Sequence, residues 1–98
     1  MSRFYYSNDA NVPIVVQVDY YPMIDTKPWA HMSMYEVHYA LFKNENLCSY
    51  DIEPIVTVEV YGGIAVEILL STFGDSWGWV DSFSDAVRRV SFKGGETK

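Results

Sequence analysis

The sequence has little that would tie a small chain together covalently or hold it in a membrane. Its 98 residues include a single cysteine, Cys48, which excludes an internal disulfide and favours a reducing compartment. No apolar run approaches the roughly 18 residues that a membrane-spanning helix needs. The first letters, MSRFYYSND, lack the apolar stretch of a signal peptide. The sequence therefore predicts a cytoplasmic protein.

Basic residues are missing from the middle of the chain. Residues 44–87 contain no lysine or arginine, yet eight aspartates and glutamates lie there, and the net charge of the chain is −6. A phosphate backbone would repel such a domain, so we expect no direct binding to nucleic acid. The charge favours instead a protein partner with a basic surface.

The spacings of known catalytic and metal-binding motifs are also missing. The chain has no glycine-rich phosphate loop, no GxSxG, no CxxC and no HxH. His31 and His38 are separated by an odd number of positions, which turns two side chains of one strand to opposite faces. We therefore predict no metal site, no cofactor and no enzyme activity.

The sequence is instead rich in apolar and aromatic residues. Residues of apolar type make up 49 % of the chain, and aromatic residues make up 16 %. These fractions are typical of a globular protein, and the length suits one small domain spanning residues 1–98.

Alternating β-branched residues predict two strands, at residues 56–60 and 64–68. A three-residue loop, Tyr61-Gly62-Gly63, would set Val58 opposite Val66, whereas a two-residue loop would set Val58 opposite Glu67. The longer loop keeps the apolar faces together and requires one glycine with positive φ, in a bulge. We predict this bulged hairpin as the centre of the sheet.

The remaining elements are predicted from the same kinds of pattern. Residues 12–21 and 32–42 alternate as strands, with a loop between Pro22 and Pro28. In the first strand, Val16 and Val18 are predicted on one face and Asp19 and Tyr21 on the other. Residues 1–11 are expected to form an extended arm, and residues 47–54 a connection with a short helical turn. A helix is predicted from Ser82 over about ten residues, because apolar side chains then recur at helical spacing; they are Phe83, Ala86, Val87 and Val90.

The predicted fold is α+β. It combines an antiparallel sheet of about four strands, mainly a meander, with one C-terminal helix on one face. One helix leaves the other face open to solvent, to the N-terminal arm or to a second subunit, so a homodimer through that uncovered face is one expectation. The polar side chains expected there are Gln17, Asp19, Glu36, His38, Glu59 and Glu67.

Two groups of residues are candidates for binding a partner. Trp77 and Trp79 lie in a glycine-rich acidic stretch and would project to the same side if it is extended. The second group consists of carboxylates that would steer a basic partner. The predicted partner-binding residues are Trp77, Trp79, Asp75, Asp81, Glu59, Glu67 and Glu36.

These features favour a non-catalytic acidic protein-binding module. The leading hypothesis is a small inhibitor that occludes a basic site, such as one that normally holds nucleic acid. Phage anti-defence proteins, anti-CRISPR proteins among them, and toxin-immunity proteins share this small, acidic, motif-free character, although no residue pattern matches; a phage-encoded protein would act in the host cytoplasm. The alternative is a ligand- or carbohydrate-binding domain with a tryptophan platform. The third hypothesis is a glycosidase-like enzyme that uses Glu59 and Glu67.

Overall fold

The computed structural model describes residues 2–7, 13–24, 27–37, 46, 48–61, 63–74 and 76–96. These residues form a five-stranded antiparallel sheet and two α-helices. The strands are β1 (Ser2–Ser7), β2 (Ile14–Ile24), β3 (Lys27–Glu36), β4 (Val56–Tyr61) and β5 (Trp77–Val80). The helices are α1 (Gly63–Phe73) and α2 (Phe83–Glu96).

The strands lie in the order β4-β3-β2-β1-β5, and each neighbouring pair is antiparallel. The first four strands form a meander. The chain then passes through α1 from β4 at one edge to β5 at the other. The α+β class and the antiparallel sheet are confirmed, while the fifth strand and the second helix go beyond the prediction.

A helix packs on each face of the sheet. We call the face under α2 the front face and the face under α1 the back face. The central strand β2 is therefore buried on both faces: Val15 on the front and Val16 and Val18 on the back are all completely buried. Apolar residues on both sides of one strand are expected when both sheet faces are covered.

The predicted stripe on α2 is confirmed. Phe83, Ala86, Val87 and Val90 are all buried and form the front core with residues of β1, β2 and β3. The Oγ of Ser82 accepts a hydrogen bond of 3.1 Å from the backbone N–H of Asp85, which caps the first turn. The helix continues to Glu96 and is therefore longer than predicted.

The predicted central hairpin is wrong, because its second strand is the helix α1. Val58 pairs with Met32 of β3 rather than with Val66. Gly63 begins the helix, and Gly62 lies outside the described residues. The side chains that pack on the back face follow helical spacing; they are Ala65, Val66, Leu69 and Leu70.

The N-terminal arm is also a correction, since β1 is an interior strand between β2 and β5. Two consecutive residues of β1 are buried on opposite faces of the sheet: Phe4 lies in the front core and Tyr5 in the back core. A central position removes the unpaired backbone groups that an arm would expose. The expected short helical turn between residues 47 and 54 is present as a 3₁₀ turn, Ser49–Asp51.

The predicted loop between Pro22 and Pro28 is largely strand. β2 extends to Ile24 and β3 begins at Lys27, so β3 starts earlier than the predicted strand 32–42. The register shifts between Tyr21 and Ile24, and such irregularities accommodate a proline that donates no hydrogen bond. Residues 38–42 of the predicted strand lie outside the described residues.

Candidate functional site

Part of the front face is not covered by α2, which packs mainly against β1, β2 and β5 and reaches β3 at Tyr35. Toward β4, two rows of side chains cross the strands there. The first row is acidic with a central histidine, and the second row is aromatic. We call these six residues the acidic–aromatic surface: Asp19, His31 and Glu59 in the first row, and Tyr21, Trp29 and Tyr61 in the second.

The aromatic row is a stack of rings across three strands. The ring centres of Tyr21 and Trp29 are 4.2 Å apart, with an angle of 12° between the planes. Those of Trp29 and Tyr61 are 6.4 Å apart, with an angle of 26°. Each such pair stabilises the fold by about 0.5–1.5 kcal/mol beyond area burial. The two tyrosines at the ends remain accessible, with 42 % and 64 % of their surface exposed.

The acidic row follows from the strand register, which pairs Asp19 with His31 and His31 with Glu59. Asp19 is held in place because its carboxylate accepts hydrogen bonds from the Ser2 hydroxyl and from Gln17 Nε2, the latter at 3.2 Å. The two carboxylates stand two strands apart, which places their backbones about 10 Å from each other. The row therefore presents negative charge at fixed positions.

Glu59 also connects the two rows. The Tyr61 hydroxyl, two residues along β4, donates a hydrogen bond of 3.4 Å to Glu59 Oε2. Both side chains are exposed. A cationic group that approached Glu59 would therefore meet an aromatic ring beside the carboxylate.

The described arginines lie away from this surface. Arg3 is on the back face, with its guanidinium 4.3 Å from the ring centre of Trp79. On α2, Arg88 forms an ion pair of 3.9 Å with Asp85, and Arg89 donates a hydrogen bond of 3.1 Å to the Tyr6 hydroxyl. None of the lysine or arginine side chains that the structure describes lies on the acidic–aromatic surface.

The two predicted tryptophan anchors do project from the same face of β5, but they have different surroundings. Trp77 is half-buried against the back core, and its Nε1 donates to the carbonyl oxygens of Leu70 at 2.7 Å and Gly74 at 2.9 Å. Trp79 is 45 % exposed and lies under Arg3. Trp77 therefore has a structural role, whereas Trp79 is accessible.

The predicted carboxylates lie on different parts of the molecule. Glu59 is on the front face, Glu67 is exposed on α1, and Glu36 is exposed at the end of β3 on the back side. The proposed acid pair of Glu59 and Glu67 is therefore wrong, because the sheet separates the two residues. Asp81 is exposed after β5, and Asp75 lies outside the described residues.

One pocket on the back side brings two of the predicted residues together. It has a volume of about 230 Å³ and opens between α1 and β5, beside Glu67 and Trp77. The pocket is open to solvent, and Glu67 is the one charged residue that lines it. The indole N–H of Trp77 is already bonded to the carbonyl oxygen of Leu70. The pocket offers a weaker recognition site than the two ordered rows on the front.

The sequence missed most of the acidic–aromatic surface. Asp19 and Tyr21 alternate with buried residues of β2, and that signal did place them on a separate face. Trp29 was missed because it directly follows the loop that was predicted between Pro22 and Pro28. His31 was predicted at the start of a strand and Tyr61 in a turn, although both lie within neighbouring strands that pair with each other.

Neither a metal centre nor a membrane segment is found in the described part of the chain. No group of three or more histidine, cysteine, aspartate or glutamate side chains there could hold a metal ion. No helix there is both long enough and apolar enough to cross a bilayer.

Comparisons with protein-family models, curated proteins and solved structures find no match to this chain. The acidic–aromatic surface is the feature of the molecule that points to a function. Its useful features are the fixed carboxylates, the ordered rings and the separation of the described arginines from both.

Proposed function

We propose that this protein is a non-catalytic protein-binding module that occupies a basic site on a partner through the acidic–aromatic surface. The observation that carries the proposal is the contact between two rows, one acidic and one aromatic, on a surface where no described side chain is lysine or arginine. By filling the site, the protein would act as a small inhibitor.

The chemistry of the two rows suits arginine and lysine side chains. A guanidinium forms charge-assisted hydrogen bonds with a carboxylate and also stacks on an aromatic ring. Glu59 and Tyr61 offer both groups side by side on β4. Aromatic residues also dominate the energetics of protein interfaces, and ordered rings lose little side-chain entropy on binding.

A site that normally holds nucleic acid is a suitable target. Such sites place lysines and arginines to contact phosphates, and fixed carboxylates compete for the same cations. Asp19 and Glu59 supply them from separate strands, about 10 Å apart. An inhibitor of the phage anti-defence or toxin-immunity type would act in this way.

Sugar binding receives less support from the geometry. A sugar stacks on the face of an aromatic ring, but the faces of Trp29 are covered by its two tyrosine neighbours. Trp77 is held in the back core, and Arg3 covers one face of Trp79. Quenching of tryptophan fluorescence by simple sugars would favour this alternative over the proposal.

The experiment is a capture from a lysate of the native host with two matched variants as bait. Asp19→Asn/Glu59→Gln removes two charges from the front face with little change of shape. Glu36→Gln/Glu67→Gln removes the same charge from the back side. We expect the front variant to lose a partner that the wild type and the back variant retain.

The captured protein then serves in rate measurements at several salt concentrations. Exposed charges mainly set the association rate, so the front variant should associate more slowly, and the difference should shrink as salt is added. Equal capture by the two variants, or an association rate that is insensitive to salt, would show that the acidic–aromatic surface does not bind this partner.

A further inference from the structure

The two edges of the sheet are protected to different degrees. β5 is a short edge of four residues. β4 is longer, with six residues, and pairs along its length with β3 in an unbroken register. Among the described residues β4 has no second neighbour, so one side of its backbone offers hydrogen-bonding groups to another strand.

The side chains around β4 are unusually apolar for an edge. Four exposed large hydrophobic residues lie within seven consecutive positions: Ile55 at 54 %, Val56 at 45 %, Val58 at 39 % and Tyr61 at 64 % exposure. Edge strands are commonly protected by lysine, proline, a bulge or inward-pointing charge. The strand Val56–Tyr61 has one charged residue, Glu59, and no lysine or proline.

We propose that β4 pairs with β4 of a second copy of this chain, antiparallel and with the two-fold axis at Val58. The two sheets would then continue into one sheet with five strands from each copy. The proposal concerns the outer edge of β4 and does not depend on the proposed function, although Glu59 and Tyr61 of β4 belong both to this edge and to the acidic–aromatic surface.

The sequence of β4 is self-complementary in this register. Val58 lies opposite Val58 of the partner subunit, and Val56 lies opposite Val60 of the partner subunit. Thr57 lies opposite the partner subunit's Glu59, and Ile55 lies opposite the partner subunit's Tyr61. Apolar side chains therefore meet apolar ones, and the carboxylate meets a hydroxyl, which is the pairing that stabilises adjacent strands.

The neighbouring registers are less favourable. An axis at Glu59 sets two carboxylates directly opposite each other, which is destabilising. An axis at Thr57 sets Ile55 opposite the partner subunit's Glu59. A shift by one residue would place the apolar side of one strand beside the polar side of the other. The axis at Val58 is therefore the register that the side chains select.

Charge sets the salt dependence of such a dimer. Each copy carries a net charge of −6, so added salt should strengthen self-association by screening their repulsion. Binding to a basic partner should weaken under the same conditions. The contact is small, so the dimer should exchange with monomer as the concentration changes.

The test is cross-linking of the full chain by introduced cysteines, in a Cys48→Ser background that removes the native thiol. Val58→Cys places two thiols opposite each other at the axis, and mild oxidation with diamide should give a disulfide-linked dimer. Val56→Cys is the matched control. Its two thiols would be offset by four residues, roughly 13 Å, which exceeds disulfide reach.

Sedimentation velocity gives the second measurement. Val58→Lys should lose the dimer, while Ile68→Lys, an exposed change of the same chemistry on α1, should keep it; circular dichroism checks that both fold. A wild type that is monomeric at all concentrations, equal cross-linking of Val58→Cys and Val56→Cys, or a dimer unaffected by Val58→Lys would each overturn the proposal.

Discussion

Two neighbouring residues on α2 provide a direct test of how this helix packs. Val87 is 1 % exposed and lies in the front core with Phe4, Tyr35 and Phe83. Arg88, the next residue, is exposed and takes part in one ion pair with Asp85. The same substitution, to aspartate, should therefore have very different effects at the two positions.

The magnitudes follow from the two environments. Val87→Asp loses the burial of a valine side chain, about 1.5–2 kcal/mol. It also places a carboxylate among apolar groups, which costs roughly 3–5 kcal/mol if the charge has no partner. Together these approach the whole stability of a typical small domain, about 5–15 kcal/mol. Arg88→Asp loses a surface ion pair, which is worth about 0–1 kcal/mol.

Urea unfolding followed by circular dichroism measures the difference. Arg88→Asp should lower the free energy of unfolding by no more than about 1 kcal/mol, and Val87→Asp should be largely unfolded without denaturant. Val87→Ala keeps the chain folded for quantification and should cost about 2 kcal/mol. Equal losses at the two positions would show that this face of α2 does not pack on the sheet.

Three further changes test other contacts. Gly78→Ala should cost about 1 kcal/mol or more in urea unfolding, because its Cβ would lie 2.8 Å from the Tyr6 hydroxyl, and combining it with Tyr6→Ala should recover part of the loss. Trp77→Phe removes the indole N–H that donates to the carbonyl oxygens of Leu70 and Gly74 and should cost roughly 1–2 kcal/mol, whereas Trp79→Phe should cost less. Burial raises the pKa of Tyr20 above its ordinary value, about 10. The stability that this shift contributes is present below that value and lost as the pH rises above it, so Tyr20→Phe should flatten the alkaline fall of stability in urea titrations at increasing pH.

Alternation in the sequence was sufficient to assign the faces of β2. Val16 and Val18 were predicted on one face and Asp19 and Tyr21 on the other, and the structure agrees. The stripe on α2 was also sufficient, because its spacing fits a helix and no strand pattern competes with it. Local period is informative where one face of an element is apolar and the other carries polar side chains, as in residues 16–21 of β2 and in α2.

The apolar residues of α1 fit two periods, and for this reason α1 was wrongly predicted as a strand. Ile64, Val66 and Ile68 alternate as in a strand, while Val66 and Leu70 are one helical turn apart. The structure decides through burial, since Val66 and Leu70 are buried and Ile68 is 58 % exposed. Element length does not separate the two periods, because α1 and the strand β2 both have eleven residues.

The acidic–aromatic surface could not be predicted for a related reason. Its rows form only when β2, β3 and β4 lie side by side, and the pairing of β4 with β3 was replaced in the prediction by the hairpin. Glu59 was predicted as a binding residue by itself. That His31 and Tyr61 lie beside it follows from the pairing of β3 with β4, which was not predicted. Long-range strand pairing, rather than local pattern, creates the site.

The sheet itself separates the two candidate binding surfaces, and this separation allows a decisive comparison. Tyr61 belongs to the front face, and Trp79 belongs to the back face of the opposite edge. A single flat partner surface cannot contact both. The predicted anchor Trp79 and the acidic–aromatic surface are therefore competing hypotheses about where the partner binds.

Alanine substitutions at these two exposed rings distinguish the hypotheses. If the partner binds the front face, Tyr61→Ala should weaken binding by about 2 kcal/mol or more, the size expected for an aromatic anchor, mainly through faster dissociation. Trp79→Ala should then bind like the wild type, because its ring lies on the other side of the sheet under Arg3. Both rates are measurable by surface plasmon resonance with the captured partner. A loss confined to Trp79→Ala would instead place the partner on the back face and refute the role assigned to the two rows.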